Sequence, residues 1–173
     1  LPPMPRLAEV FARYGVSNDS RVVVYRIKDS LTPAARVLLT LDAMGLGRNA
    51  SMLDGNLDNW KEEGGAVTTD VPTVKPGKIE PCPQDDVIAS MAFVRDNLHK
   101  PGVRILDARS PDAYHGDAKT VRPGFRAGHI EGAGNVHYDT LLTPMGKLLP
   151  VAELQAKFAA AGVKAGDRVV TYC

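Results

Sequence analysis

Two stretches of this chain carry the same order of apolar and polar positions. FARYGVSNDSRVVVYR, from Phe11 to Arg26, lies over FAAAGVKAGDRVVTYC, from Phe158 to Cys173, without a gap. Each reads as the end of an amphipathic helix, a glycine stop, a polar turn and a short β-branched run. In the first stretch Leu7, Val10, Phe11 and Tyr14 form the apolar face of a helix over Leu7–Tyr14, and Gly15 ends it. Arg21–Tyr25 then predicts a strand whose continuous apolar run suits burial on both faces of a parallel sheet. The second stretch predicts a helix over Val151–Ala161 and a strand over Arg168–Tyr172.

Between the two, Thr32 as N-cap and Pro33 in the first turn predict a helix reaching about Met44. Asn49–Leu53 reads as a strand, Asp54-Gly55 as a turn, and Asn56–Glu63 as a short helix carrying Trp60 before Gly64-Gly65. Residues 71–83 hold four prolines in 13 residues and no periodicity, the pattern of an extended connector. Asp85–Leu98 predicts a helix with Val87, Ile88, Met91, Phe93, Val94 and Leu98 apolar, and with Asp85-Asp86 at its positive end. Val103–Leu106 is a predicted strand that delivers Asp107, Ala108 and Arg109 to its C-terminal end, followed by the Ser110-Pro111 turn. Asp117–Arg126 reads as a long polar loop, and Asn135–Val136 as a short strand. Helices alternating with strands predict the α/β class, parallel sheets flanked by helices. In such sheets ligands bind beyond the carboxyl ends of the strands, which is where Asp107 and Cys173 fall.

The offset between the repeated stretches is constant. Phe11 pairs with Phe158 and Tyr25 with Tyr172, both 147 residues apart, about one domain length. Two such periods need roughly 290 residues against the 173 present. The expectation is therefore two domains in tandem, both incomplete here. Residues 1–70 would be the later half of one copy, 71–83 the linker, and 84–173 the front of the second copy, with missing parts of the same polypeptide completing each. At the end of the shared strand the first copy has Arg26 and the second Cys173, which suggests one silent and one working domain.

A formal net charge of +1 gives no electrostatic footprint for nucleic acid or for an anionic membrane surface. No run approaches the roughly 18 apolar residues of a spanning helix. His99, His115, His129 and His137 lack the tight spacing of a metal site, so neither metal nor cofactor is expected. Two cysteines are too few for a disulfide framework. Cys82 sits between prolines as a linker thiol. Cys173 should sit where a strand expected to be buried breaks into a loop, and the first copy forecasts a loop and a capped helix after it. Backbone N–H groups and a helix N-terminus there would lower the thiol's pKa and attract an anionic substrate.

Several of these residues, taken in order, resemble a known family. Asp107-Ala108-Arg109-Ser110-Pro111 with Tyr114 and Gly116, then Gly128-His129-Ile130-Glu131-Gly132-Ala133-Gly134-Asn135, look like the front of a rhodanese domain. Val169–Cys173 resembles that family's strand into its catalytic cysteine, and Asp54-Gly55-Asn56 with Trp60 and Gly64 or Gly65 resembles its signature near the domain end. Asn56 stands where that signature has a second glycine. The resemblance implies a tandem rhodanese with an inactive first domain. Cys173 would take a sulfane sulfur from a small anionic donor, thiosulfate or 3-mercaptopyruvate, and pass it as a persulfide to cyanide or a thiol. Asp107 would help hold the active loop, with Arg109 as its basic companion. Some thiosulfate-using members carry an arginine where this chain has Ala113, so the donor stays open. A cysteine phosphatase on the same fold and a non-catalytic binding module are the competing readings.

Overall fold

The computed structural model describes residues 1–27, 31–117, 119 and 126–173, and the chain falls into two compact units, Leu1–Ile88 and Ala89–Cys173. The loops expected at Arg26–Leu31 and Asp117–Arg126 lie largely outside the described residues.

The first unit begins with α1, Met4–Arg13, entered through Pro3 and Pro5, whose fixed φ suits a first helical turn. Then come β1 (Val22–Val24), α2 (Leu31–Ala43), a 3-10 turn at Gly47–Asn49, β2 (Ala50–Met52) and α3 (Leu57–Glu62). β1 and β2 pair in parallel, Val22 opposite Ala50 and Val24 opposite Met52. Leu7, Ala8, Leu41, Met44 and Leu46 form the core, with Phe11, Val22, Val24 and Ile79 packed against it. α2 is already helical at Leu31, so Thr32 is not the N-cap; Thr32 and Pro33 occupy its first turn, where proline's missing N–H has no helical partner to lose. α3 starts from Asn56, whose side chain accepts from the N–H groups of Asp58 and Asn59, while Asn59 Oδ1 accepts from Asn56 N–H. This reciprocal pairing is a capping box.

The expectation that the first repeated strand is buried on both faces is corrected. Val22 and Val24 meet the core, but Val23 is 62% exposed and Tyr25 56%. The helices α1 and α2 cover one face only. On the other, Val23 and Tyr25 line an open apolar groove of about 410 Å³ with Leu53, Leu57, Trp60 and Val67.

The proline-rich stretch carries no regular element, yet its second half is pinned to the first unit. Gly77 N–H donates to Ala12 O at 2.8 Å, Cys82 N–H to Met44 O at 3.0 Å, and Gln84 N–H to Ala43 O at 3.0 Å. Gly45, with φ of +83°, allows the close approach, since a Cβ there would stand 2.5 Å from the Cys82 carbonyl oxygen. Cys82 itself is exposed.

The second unit contains α4 (Met91–Asn97), β3 (Val103–Asp107), α5 (Pro111–His115), β4 (Gly134–Asn135), α6 (Val151–Ala160) and β5 (Arg168–Tyr172). The sheet order is β4-β3-β5, all parallel. The predicted helix over Asp85–Leu98 is shorter than expected. Ser90 Oγ accepts from Phe93 N–H at 3.0 Å and starts α4 there, so Asp85-Asp86 lie in a turn ahead of the helix and do not meet its dipole. Ile105 and Leu106 of β3 are buried with Ala113, Ala133 and Val136. Both units are thus α/β, parallel strands flanked by helices, with β3 and β5 ending side by side.

Candidate active site

β3 and β5 run in register, Val103 opposite Arg168 through to Asp107 opposite Tyr172. Cys173 therefore begins one residue past the point where Asp107 ends its own strand. Cys173 is exposed and free of any disulfide.

Asp107 is fully shut off from solvent. An isolated carboxylate there would be costly, and Arg109 resolves the cost. The Arg109 backbone N–H donates to Asp107 Oδ1 at 2.9 Å, its Nε bridges both carboxylate oxygens at 3.0 and 3.1 Å, and its Nη2 donates to Oδ2 at 2.5 Å. Burial alone would push the Asp107 carboxyl up, but the hydrogen bonds from Arg109 and Tyr172 outweigh it, and its pKa lies below the ordinary carboxylate range. The same pairing raises Arg109. The ion pair also cancels a negative charge that would repel an anion approaching Cys173.

A second ring of bonds fixes this pair. Arg109 Nη2 also donates to Gly128 O at 2.7 Å. Asn135 Nδ2 donates to both the Asp107 and Arg109 carbonyls, at 3.0 and 2.9 Å. Tyr114 donates its hydroxyl to Ala133 O at 2.7 Å, and the His129 ring stacks on Tyr114 with centroids 3.8 Å apart. Ser110 caps α5 and Gly116, with φ of +88°, closes it in the left-handed conformation. The residues of the second unit that carried the resemblance, among them Asp107, Arg109, Tyr114, Gly128, His129 and Asn135, thus gather around the end of β3.

Tyr172 belongs to the same group. Its phenolic oxygen accepts from Ile130 N–H at 2.9 Å, and Arg109 Cζ stands 5.7 Å from the ring centroid. Burial and the neighbouring Asp107 carboxylate hold its hydroxyl protonated, above the usual tyrosine range. Neither Tyr172 nor Asn135 was given a role from sequence alone. Its place directly before Cys173 was the available signal for Tyr172.

In the alignment of the two repeated stretches Arg26 stands opposite Cys173. It is 8% exposed, and its carbonyl accepts from Leu57 N–H at 2.9 Å.

The geometry describes an α/β domain with a cysteine at a strand end, beside a neutralised acidic shell. Residues 90–173 match the model of the rhodanese-like domain. It is similar, at 31% identity over 174 residues, to the Pseudomonas aeruginosa protein named "Probable 3-mercaptopyruvate sulfurtransferase", covering 100% of this chain and 60% of that one. It is 30% identical over 179 residues to the sulfur carrier protein TtuD of Thermus thermophilus (96% and 61% covered), and 29% identical over 175 residues to the Bos taurus thiosulfate sulfurtransferase (100% and 59% covered). The chain thus spans about 60% of the length of these curated relatives. Among solved structures it superposes on Escherichia coli SseA, described for the rhodanese fold and mechanism of 3-mercaptopyruvate sulfotransferases, with a TM-score of 0.82 and 25% identity, covering 100% of this chain and 63% of that one. At 18% identity and a TM-score of 0.84 it also shares its fold with an anaerobic ergothioneine biosynthesis enzyme from Chlorobium limicola, over 99% of this chain and 45% of that one.

Proposed function

We propose that this chain carries out sulfur transfer through a Cys173 persulfide. The reading is supported above all by one arrangement: a cysteine directly after β5, beside a strand end whose buried carboxylate is fully paired. Relatives named thiosulfate and 3-mercaptopyruvate sulfurtransferases support it further. The Cys173 thiolate attacks the outer sulfur of thiosulfate, the S–S bond breaks, and sulfite leaves with the bonding electron pair. Cyanide or a thiolate then attacks the terminal sulfur of the persulfide, and Cys173 departs as thiolate. The double displacement is balanced without an added oxidant. Asp107 and Arg109 take no part in bond making; they hold the end of β3 against which the cysteine is placed.

The tandem arrangement is part of the same proposal. Residues 1–70 belong to a non-catalytic rhodanese-like domain whose strand ends in Arg26, residues 71–83 link it onward, and residues 84–173 belong to the catalytic domain. The alignment of Phe11–Arg26 with Phe158–Cys173 supports this division.

Incubation with thiosulfate, then mass spectrometry of the Cys173 peptide, tests the chemistry. The expected result is the gain of one sulfur atom, lost on adding cyanide with formation of thiocyanate. Cys173→Ser abolishes both, since a hydroxyl cannot carry the persulfide. Thiocyanate formation at the wild-type rate in Cys173→Ser would end this reading, as would hydrolysis of p-nitrophenyl phosphate in place of sulfur transfer.

A further inference from the structure

We infer that Tyr172 is a positioning residue for Cys173, acting through the peptide unit that joins the two. The inference rests on Cys173 being the sulfur-accepting nucleophile. The Tyr172 carbonyl accepts from Ala108 N–H at 2.8 Å. That carbonyl and the Cys173 N–H belong to one planar peptide group, so the bond to β3 sets the plane from which Cys173 departs. The side chain provides the second anchor. Its hydroxyl accepts from Ile130 N–H at 2.9 Å, and Arg109 Cζ stands 5.7 Å from the ring centroid. Tyr172 therefore ties the end of β5 both to the residue after β3 and to the turn around Ile130, with Arg109 beside its ring.

The repeat isolates the feature. Tyr25 holds the equivalent place in the first unit, yet it is 56% exposed and lines an apolar groove. It precedes Arg26, which carries no nucleophile. The tyrosine is kept in both copies, but only the copy that ends in cysteine locks it into a polar shell.

A nucleophile displaced by about 1 Å can lose roughly 10²-fold in rate, so loosening one of several anchors should cost less than that. Tyr172→Phe keeps the ring and removes only the hydroxyl. The expected result is a fall of about 3- to 30-fold in kcat for thiosulfate-to-cyanide transfer, with KM for thiosulfate within about twofold. Alkylation of Cys173 by iodoacetamide should show a displaced pH–rate profile, and the Ile130 amide should exchange faster. Wild-type kcat together with a wild-type alkylation profile in Tyr172→Phe overturns the inference. If the wild-type protein accepts no sulfur but Tyr172→Phe still displaces the alkylation profile, the sulfur-transfer reading fails and the positioning role stands. Should Tyr172→Phe not fold, amide exchange in the wild type decides. Protection of Ile130 and Ala108 by about 100-fold or more supports the two anchors, and exchange at the unprotected rate for either removes them.

Discussion

Arg109 clasps Asp107 with its own backbone N–H and its guanidinium at once, a closed loop made by residues two apart at the end of β3. Because the carboxylate is inaccessible, each partner depends on the other more than an exposed pair would. Arg109→Ala strands a buried charge and is expected to destabilise the second unit by about 3 kcal/mol. Asp107→Asn with Arg109→Ala together should cost less than the two single changes summed, since the charge is removed with its partner. Urea denaturation of the four proteins measures this coupling.

The same pair sets an acid limit. The folded-state pKa of Asp107 is depressed, so its contribution is complete above the unfolded carboxylate value, near about 3.9, and is lost as pH falls through the lower folded value. Stability should therefore change little from this group down to about pH 4 and decline below it. Asp107→Asn should be less stable at neutral pH and show a shallower decline below about pH 4. Equal acid slopes in the two proteins would contradict the assignment.

Arg26 predicts a separation of stability from turnover. It is buried in the first unit, and removing its side chain should lower that unit's stability by roughly 1–3 kcal/mol. The place it fills carries no nucleophile, so sulfur transfer per folded molecule in Arg26→Ala should stay within about twofold of wild type. A much larger loss of kcat, with folding intact, would mean that the first unit contributes directly to the chemistry.

The fold was legible in the sequence wherever a local signal decided the structure. Gly15 stops a helix, Asn56 starts one, and the strands expected over Val103–Leu106 and Arg168–Tyr172 form in the expected parallel class, whereas the Ser110-Pro111 turn proves to start the helix α5. Failures came where tertiary context decided. Val87 and Ile88 have helical spacing, but Ser90 captures the Phe93 amide and the helix starts later. Val23 and Tyr25 are as apolar as Val22 and Val24, yet only the latter two have helices packed over them. In the site, Cys173, Asp107 and Arg109 stood out as reactive or charged groups at strand ends. Asn135 and Tyr172 act by bridging across 26 to 42 residues of chain, and no local pattern reports such a bridge.

The glycine pair after Trp60 yields the last prediction, because its two members are constrained for different reasons. Gly64 has φ of +82° and nothing within 4 Å of a built Cβ, whereas a Cβ on Gly65 would run into the Trp60 indole. The indole is held by its Nε1–H, which donates to Ala66 O at 3.0 Å, and it forms one wall of the groove beside Val23 and Tyr25. Gly64→Ala should therefore cost about 1 kcal/mol of backbone strain and leave Trp60 in place. Gly65→Ala must displace the ring, break its bond to Ala66 and open the groove wall. Trp60 is the sole tryptophan, so its fluorescence reports the difference without ambiguity. Gly65→Ala should shift emission to the red, and Gly64→Ala should leave the spectrum unchanged while lowering the denaturation midpoint. An unshifted spectrum in Gly65→Ala would show that the indole does not rest against Gly65.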